Sequence, residues 1–164
     1  MPAIRLRPAN QDDIDLLLRY RNDTQTRAAS RNQEPVDKHE HSQWLSQTLM
    51  RKDRRLIIGE IDGLPVGTAR LDIREDQSIE VSWTVAPEMR GQGIGHQLVK
   101  QVVSELSGKI VACIRRDNLA SQKIALATGF QLAETGLTSE KNDAILRYEL
   151  HSAETQPGKN VPPA

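Results

Sequence analysis

The sequence predicts an α/β (α+β) fold, with a mixed, mostly antiparallel central sheet of about six or seven strands flanked by about four helices. Three observations carry this expectation. Residues 56–85 alternate apolar runs with turn signals, as an antiparallel meander does. A glycine-rich turn then leads straight into an apolar stripe of helical period, and a buried-strand run, another helix and two further strand segments follow.

The elements follow in order. Ile4 and Leu6 alternate with Arg5 and Arg7 in a first strand that ends at Pro8. Asn10 reads as a helix cap, with Asp12 and Asp13 favourably placed in the first turn and Ile14, Leu16, Leu17 and Leu18 behind them. Residues 21–35 are polar and irregular. Asp37 caps a second helix, in which Trp44, Leu45, Thr48 and Leu49 share a face. Strands at 56–61 and 66–73 flank the hairpin signal Asp62-Gly63, and a polar turn leads to a third at 79–85. Pro87 ends that strand because proline cannot donate to a ladder. Ile94, Leu98, Val99, Val102, Val103 and Leu106 mark a helix closed by Gly108. Residues 109–114 suit a buried strand, Asn118 opens a helix ending at Gly129, and strands are expected at 130–134 and 144–150. The tail from His151 has too little apolar content to pack and reads as disordered, which leaves residues 1–150 as one domain.

Composition narrows the function classes. Apolar residues make up 37% of the 164, with one Phe, two Trp and two Tyr, so the core must rest on Leu, Ile and Val. Lys plus Arg equals Asp plus Glu at 22 each, which gives no global field toward nucleic acid or anionic lipid. Cys113 is the single cysteine and fits a reducing, cytoplasmic setting, with a buried structural thiol as its role. No run approaches the roughly 18 apolar residues of a membrane span, and the N-terminus lacks a signal-peptide core. No metal is expected, since no ligand spacing is complete.

The informative stretch is Val85-Ala86-Pro87-Glu88-Met89-Arg90-Gly91-Gln92-Gly93-Ile94-Gly95, with three glycines in its last five residues. A helix start carries unpaired N–H donors and about half a positive charge. Glycines allow positive φ and close approach of a phosphate to the backbone. Together they make an anion site suited to a diphosphate, against the plainer alternative of a tight turn with nothing bound. The last glycine comes one position too early for a Rossmann fingerprint, and the Gly-Lys-Ser/Thr of a Walker A loop is absent.

Arg90-Gly91-Gln92-Gly93-Ile94-Gly95 resembles the Arg/Gln-x-x-Gly-x-Gly/Ala signature of the GNAT (Gcn5-related) N-acetyltransferase superfamily. Asn118, Ser121 and Gly129-Phe130 are similar to that family's Asn-x-x-Ala/Ser…Gly-Phe pattern at the usual distance, and the element order agrees from Ile4 to Leu150. The resemblance implies a GNAT fold, acetyl-CoA as cofactor and a small primary amine as acceptor, in a monomer or homodimer. It places the coenzyme A pyrophosphate on the loop of Arg90, Gly91, Gln92, Gly93, Ile94, Gly95 and His96. It places the pantetheine arm along the backbone of Trp83, Thr84 and Val85, with Asn118 and Ser121 beside it.

Glu80, ten residues before Arg90, stands where many family members carry a strand-borne glutamate that takes the amine's proton. A carboxylate in a partly dry cleft has its pKa raised, which suits a general base; the other reading is an exposed strand carboxylate. The family's tyrosine seven residues after the asparagine is replaced by Ala125, so that tyrosine's protonation of the thiolate cannot be carried over. Ser121, water or Tyr148 are the replacements to consider, or a thiolate that leaves unaided, its reference pKa being about 8.5. For Tyr148 ring packing in a strand is the stronger reading.

Arg19-Tyr20-Arg21-Asn22-Asp23, with Arg27 and Arg31, followed by His41-x-x-Trp44, resembles a narrower group. These are the acetyltransferases of amino-sugar nucleotides in bacterial nonulosonic (pseudaminic-type) acid biosynthesis. The resemblance implies Arg21, Asn22, Arg27, His41 and Trp44 as acceptor-binding residues. Arginine forks suit the two phosphates of such a substrate, although surface ion pairing would also account for them. Histidine at 41 could act as a base and Trp44 could stack on a sugar or base, or both could simply anchor the helix, with His39 in solvent. Three functions are therefore in view: an amino-sugar or small-amine N-acetyltransferase, a protein N-terminal acetyltransferase of the ribosomal-protein type, and a non-catalytic acyl-CoA sensor.

Overall fold

The computed structural model describes residues 2–30, 32–138 and 144–152. Seven strands and five α-helices lie among them. They run β1 (Arg5–Pro8), α1 (Ile14–Asn22), α2 (Thr24–Ala29), α3 (Lys38–Met50), β2 (Arg54–Ile61), β3 (Leu64–Ile73), β4 (Ile79–Val85), α4 (Ile94–Ser104), β5 (Gly108–Arg115), α5 (Leu119–Thr128), β6 (Gln131–Thr138) and β7 (Ala144–Ser152). This matches the predicted class, with one helix more than expected.

That helix, α2, sits in the stretch read as irregular. None of its residues is buried, so no apolar period announces it. It is held by Asp23, whose side chain accepts from the Thr26 amide at 3.1 Å. The first predicted helix also starts differently. Asn10 caps a short 3₁₀ turn through a reciprocal box with Asp13, and α1 follows. Arg7 grips Asp13 with two hydrogen bonds of 2.9 and 2.8 Å, which ties β1 to that turn. At the other end β7 runs on through His151 to Ser152, whose hydroxyl donates to Leu106 O at 3.0 Å. His151 and Ser152 therefore belong to β7 and not to the expected tail, the rest of which, residues 153–164, lies outside the described residues.

The strand order is β1-β2-β3-β4-β5-β7-β6. Every neighbouring pair is antiparallel except β4 and β5. These two are parallel and pair only at Ile79↔Ile110 and Glu80↔Val111. Beyond that point no ladder joins them among the described residues, so the sheet opens along its middle. The β6–β7 hairpin folds back and lays β7 beside β5.

Period-two alternation sends the two faces of the sheet to different helices. Ala69, Leu71 and Val81 pack with Ile94, Leu98, Val99 and Val102 of α4 in the main core. On the other face Ile58 meets Leu17 of α1 and Leu45 of α3, with Trp44, Leu49 and Leu56 around them. Leu98 and Leu45 are both fully buried, and each such leucine stabilises by about 1.5–3 kcal/mol. The two helical layers thus fix α4 and the α1–α3 layer on opposite sides of the sheet.

Candidate active site

The turn from β4 into α4 shows why its glycines differ in purpose. Gly91 and Gly93 hold φ of +76° and +78°, and a Cβ at either would meet nothing within 4 Å. They are needed for backbone conformation, and the space in front of them is open. Gly93 is the N-cap of α4 and offers no side chain, so the first-turn amides of the helix have no capping partner. Gly95 is different. A Cβ there would fall 2.5 Å from Ile124 Cδ1 and 3.1 Å from Val85 Cγ2, so the missing side chain lets α4 close on α5 and β4. The result is a row of main-chain donors at a positive helix end, facing free space.

Arg90 points away from that row. Its Nη2 donates to Asp23 Oδ2 at 2.7 Å and to Thr26 Oγ1 at 3.0 Å, and its Nη1 donates to Gln25 Oε1 at 2.8 Å. Arg19 adds a second tie, donating to both carboxylate oxygens of Glu88 at 3.0 and 3.1 Å. The glycine turn is thereby clamped to α1 and α2. Gln92 faces solvent and bonds back to Glu88 O at 3.2 Å.

A cleft of about 1120 Å³ lies against this turn. It is lined by Arg21, His41 and Trp44 from α1 and α3, by β4 from Glu80 to Val85, by Arg90, Gly91 and Gly93 to His96, and by Asn118 and Ser121. Glu80, Ser82 and Thr84 share one face of β4, whereas Val81, Trp83 and Val85 share the other. Residues of both faces border one cavity because the sheet is open beyond Glu80. Cys113 and Ile114 of β5 form the opposite lip.

Glu80 sits at the end of the β4–β5 ladder, opposite Asp72 on β3, with its carboxylate 3.9 Å from Arg74 Nη2. Asn118 caps α5, its Oδ1 accepting from the Ser121 amide at 3.2 Å, which holds Ser121 in the first turn at the cleft wall. Trp83 contributes an indole Nε1 that is buried and has no hydrogen-bond partner.

Four of the sequence-predicted residues lie outside the lining. Besides Gln92, these are Tyr148, Asn22 and Arg27. Tyr148 is a correction: it is 3% exposed, belongs to the main core, and its hydroxyl lies 3.3 Å from Gln122 Oε1. It packs its ring and does not reach the cleft. Asn22 and Arg27 also turn elsewhere. Asn22 bonds both polar groups of the Val36 backbone at 2.7 and 2.8 Å, and Arg27 Nε donates to Gln33 O at 2.9 Å. They shape the α2–α3 connection. Arg31 lies outside the described residues.

His41 stacks on Trp44, with ring centroids 5.0 Å apart and 21° between planes. It is 5% exposed, and its Nε2 is buried without a partner. Burial, then the nearby Arg21 charge, lowers its pKa below the usual 6.5, so the ring is held neutral at physiological pH. His39 is exposed, as the helix-anchoring alternative has it.

Sequence reasoning passed over Tyr20. It lines the cleft at 2% exposure, its hydroxyl is buried and unpartnered, and Arg19 covers the ring at 5.0 Å. Burial pushes its pKa up to about 12, so the hydroxyl keeps its proton. The available signal was a tyrosine three residues after Leu17 on an apolar face, where phenylalanine would serve if only packing mattered. Among the described residues no cluster of three or more His, Cys, Asp or Glu could hold a metal, and no helix is long and apolar enough to cross a membrane.

Residues 3–131 match the family model described as an acetyltransferase (GNAT) domain. A search of curated proteins found no match. Among solved structures, a ribosomal-protein-alanine N-acetyltransferase from Brucella melitensis is similar at 26% identity and TM-score 0.75, over 90% of this chain and 99% of that one. A spermidine N-acetyltransferase from Vibrio cholerae, solved with CoA and spermine, is similar at 17% identity and TM-score 0.79, over 90% and 94%. An aminoglycoside acetyltransferase solved with coenzyme A is similar at 17% identity and TM-score 0.79, over 91% and 95%.

Proposed function

We propose, for a chain that belongs to the GNAT acetyltransferase family, that it is an acetyl-CoA-dependent N-acetyltransferase acting on a small primary amine, with a nucleotide-linked amino sugar as the acceptor. One observation carries the reading. A single cleft runs from the uncapped start of α4, along the open edge of β4, to Glu80 and the α1–α3 wall.

Acetyl-CoA supplies the acetyl group as a thioester when bound. Around it this chain's residues have distinct tasks. The amides of Gly91 to Gly95 hold the pyrophosphate, and the open space before Gly91 and Gly93 admits it. The main chain of Trp83 to Val85, lacking a ladder to β5, is free to hold the pantetheine arm and would offer the thioester carbonyl a hydrogen bond. Glu80 takes the proton from the attacking amine, directly or through a water. Ser121, in the cleft wall, or solvent would supply the proton that the departing thiolate needs; Ala125 is fully buried and has none to give. The fit extends to Arg90, whose task here is to brace the turn against α2.

The acceptor assignment rests on the Arg21 and His41-x-x-Trp44 residues that line the cleft. A second reading, acetylation of a protein N-terminus, is favoured by the likeness to the ribosomal-protein-alanine enzyme. Thiol release with nucleotide-linked amino sugars, simple amines and N-terminal peptides tests both. Turnover confined to the sugars supports the first, and turnover confined to peptides replaces it with the second. Tight CoA binding with no turnover on any amine refutes catalysis altogether.

A further inference from the structure

Four arginines line the cleft: Arg21, Arg70, Arg90 and Arg115. Three of them hold an aspartate. Arg70 pairs with Asp72 at 3.0 Å, Arg90 with Asp23 at 2.7 Å, and Arg115 with Asp117 at 2.9 Å. Arg21 has no ion pair among the described residues. Its Nη2 donates only to a carbonyl, Asn32 O, at 2.7 Å, and its Nη1 is buried with no partner at all. A guanidinium partly withdrawn from water and left without an anion is costly, and its fork geometry matches phosphate and carboxylate.

Two more residues of the same cleft lining, Tyr20 and His41, are each more than nine-tenths buried and carry an orphaned polar atom, the Tyr20 hydroxyl and His41 Nε2. Both groups are uncharged at neutral pH, so Arg21 supplies the charge and they supply hydrogen bonds. The carboxylates among the described lining residues are two, Glu40 and Glu80, and Glu80 already faces Arg74 at 3.9 Å. That lining is poorly matched to a polycation.

We infer that Tyr20, Arg21 and His41 form an anion-reading subsite, and that the acceptor amine carries its own phosphoryl or carboxylate group, held by the Arg21 guanidinium. The inference rests on the transferase reading of this cleft and narrows its substrate class to anionic amines, setting polyamines and other polycations aside.

The test is calorimetric titration of CoA-saturated protein with three probes: UDP for the phosphoryl source, glucuronate for the carboxylate source, and spermidine. The same titrations on the Gly93→Glu variant, whose diphosphate cradle is blocked, read this end of the cleft whether or not CoA binds. One of the two anions is expected to bind, Arg21→Gln to weaken it at least tenfold, and Tyr20→Phe several-fold. Spermidine should not bind. Arg21→Lys, which keeps the charge and a donor, should recover part of the affinity, and unchanged CoA affinity in each variant shows that the fold is intact. Binding of neither anion, anion binding indifferent to Arg21→Gln, or spermidine binding more tightly than both overturns the inference. Failure of the transferase reading looks different: anions bind at Arg21, yet no amine is acetylated.

Discussion

Replacing Gly93 and Gly95 separately by alanine distinguishes a ligand-facing glycine from a packing one. At Gly93 the chain has φ +78° and ψ 6°, and an added Cβ meets no protein atom within 4 Å. The folded-state cost is therefore the left-handed conformation alone, about 1–2 kcal/mol. Loss of unfolded-state freedom offsets about 0.4–1 kcal/mol of it. A net loss near 1 kcal/mol lowers Tm by about 2–4 °C for a chain of this size. The methyl group projects into the space where phosphate oxygens would meet the α4 amides, so CoA affinity should fall about tenfold or more, which is about 1.4 kcal/mol. At Gly95 the order reverses. The Cβ would overlap Ile124 Cδ1 at 2.5 Å and crowd Val85 Cγ2 at 3.1 Å, an overpacking cost of about 1–3 kcal/mol on stability. Thermal unfolding of each variant alongside calorimetric CoA titration reads both quantities. Gly93→Ala protein that binds CoA as tightly as the parent while losing the expected few degrees would refute the cradle.

Other expectations follow from the same geometry. Glu80→Gln should lower turnover most at low pH, where the acceptor amine is mostly protonated; a pH–rate profile of unaltered shape removes Glu80 from the mechanism. Asp23→Ala takes away both the cap of α2 and the partner of Arg90, and should cost about 1–2 kcal/mol and raise the KM for acetyl-CoA, as denaturant unfolding and steady-state kinetics would report. His41 has a folded-state pKa below its unfolded value near 6.5. In the interval between the two the unfolded chain binds the extra proton, so stability falls as pH drops below about 6.5 and levels off once His41 is protonated in the folded state. His41→Gln should flatten that slope in urea melts, and an unchanged slope would show that the ring does not titrate in this way.

Much of this architecture was legible in the residues, and the reasons are physical. The meander and the helix stripe of Ile94 to Leu106 follow from apolar periodicity, which burial enforces locally. The glycine turn before α4 was legible because positive φ at Gly91 and Gly93 calls for glycine. Helix α2 escaped notice because it buries nothing and is held by one cap and a long-range arginine. The contacts of the α1–α3 side chains were legible only in part. Whether Asn22 clamps Val36 or faces the cleft, and which carboxylate each arginine takes, depends on distances across the fold that spacing along the chain does not encode. Tyr20 was missed for the same reason: an unpartnered hydroxyl is a property of its surroundings. Of the replacements considered for the tyrosine absent at Ala125, Tyr148 is a core residue, a placement that depends on the β5–β7 pairing and not on local spacing.

The two-pair seam between β4 and β5 leaves a pair of sheet borders confronting each other inside one molecule. Elsewhere such borders invite foreign chains to pair with them; here each faces the other across one cleft, which leaves neither as an outer edge. Recognition written in peptide atoms places little demand on the identity of the side chains that carry them. Along β4 that tolerance falls to the exposed Ser82, since Val81 belongs to the main core and Trp83 and Val85 pack against it.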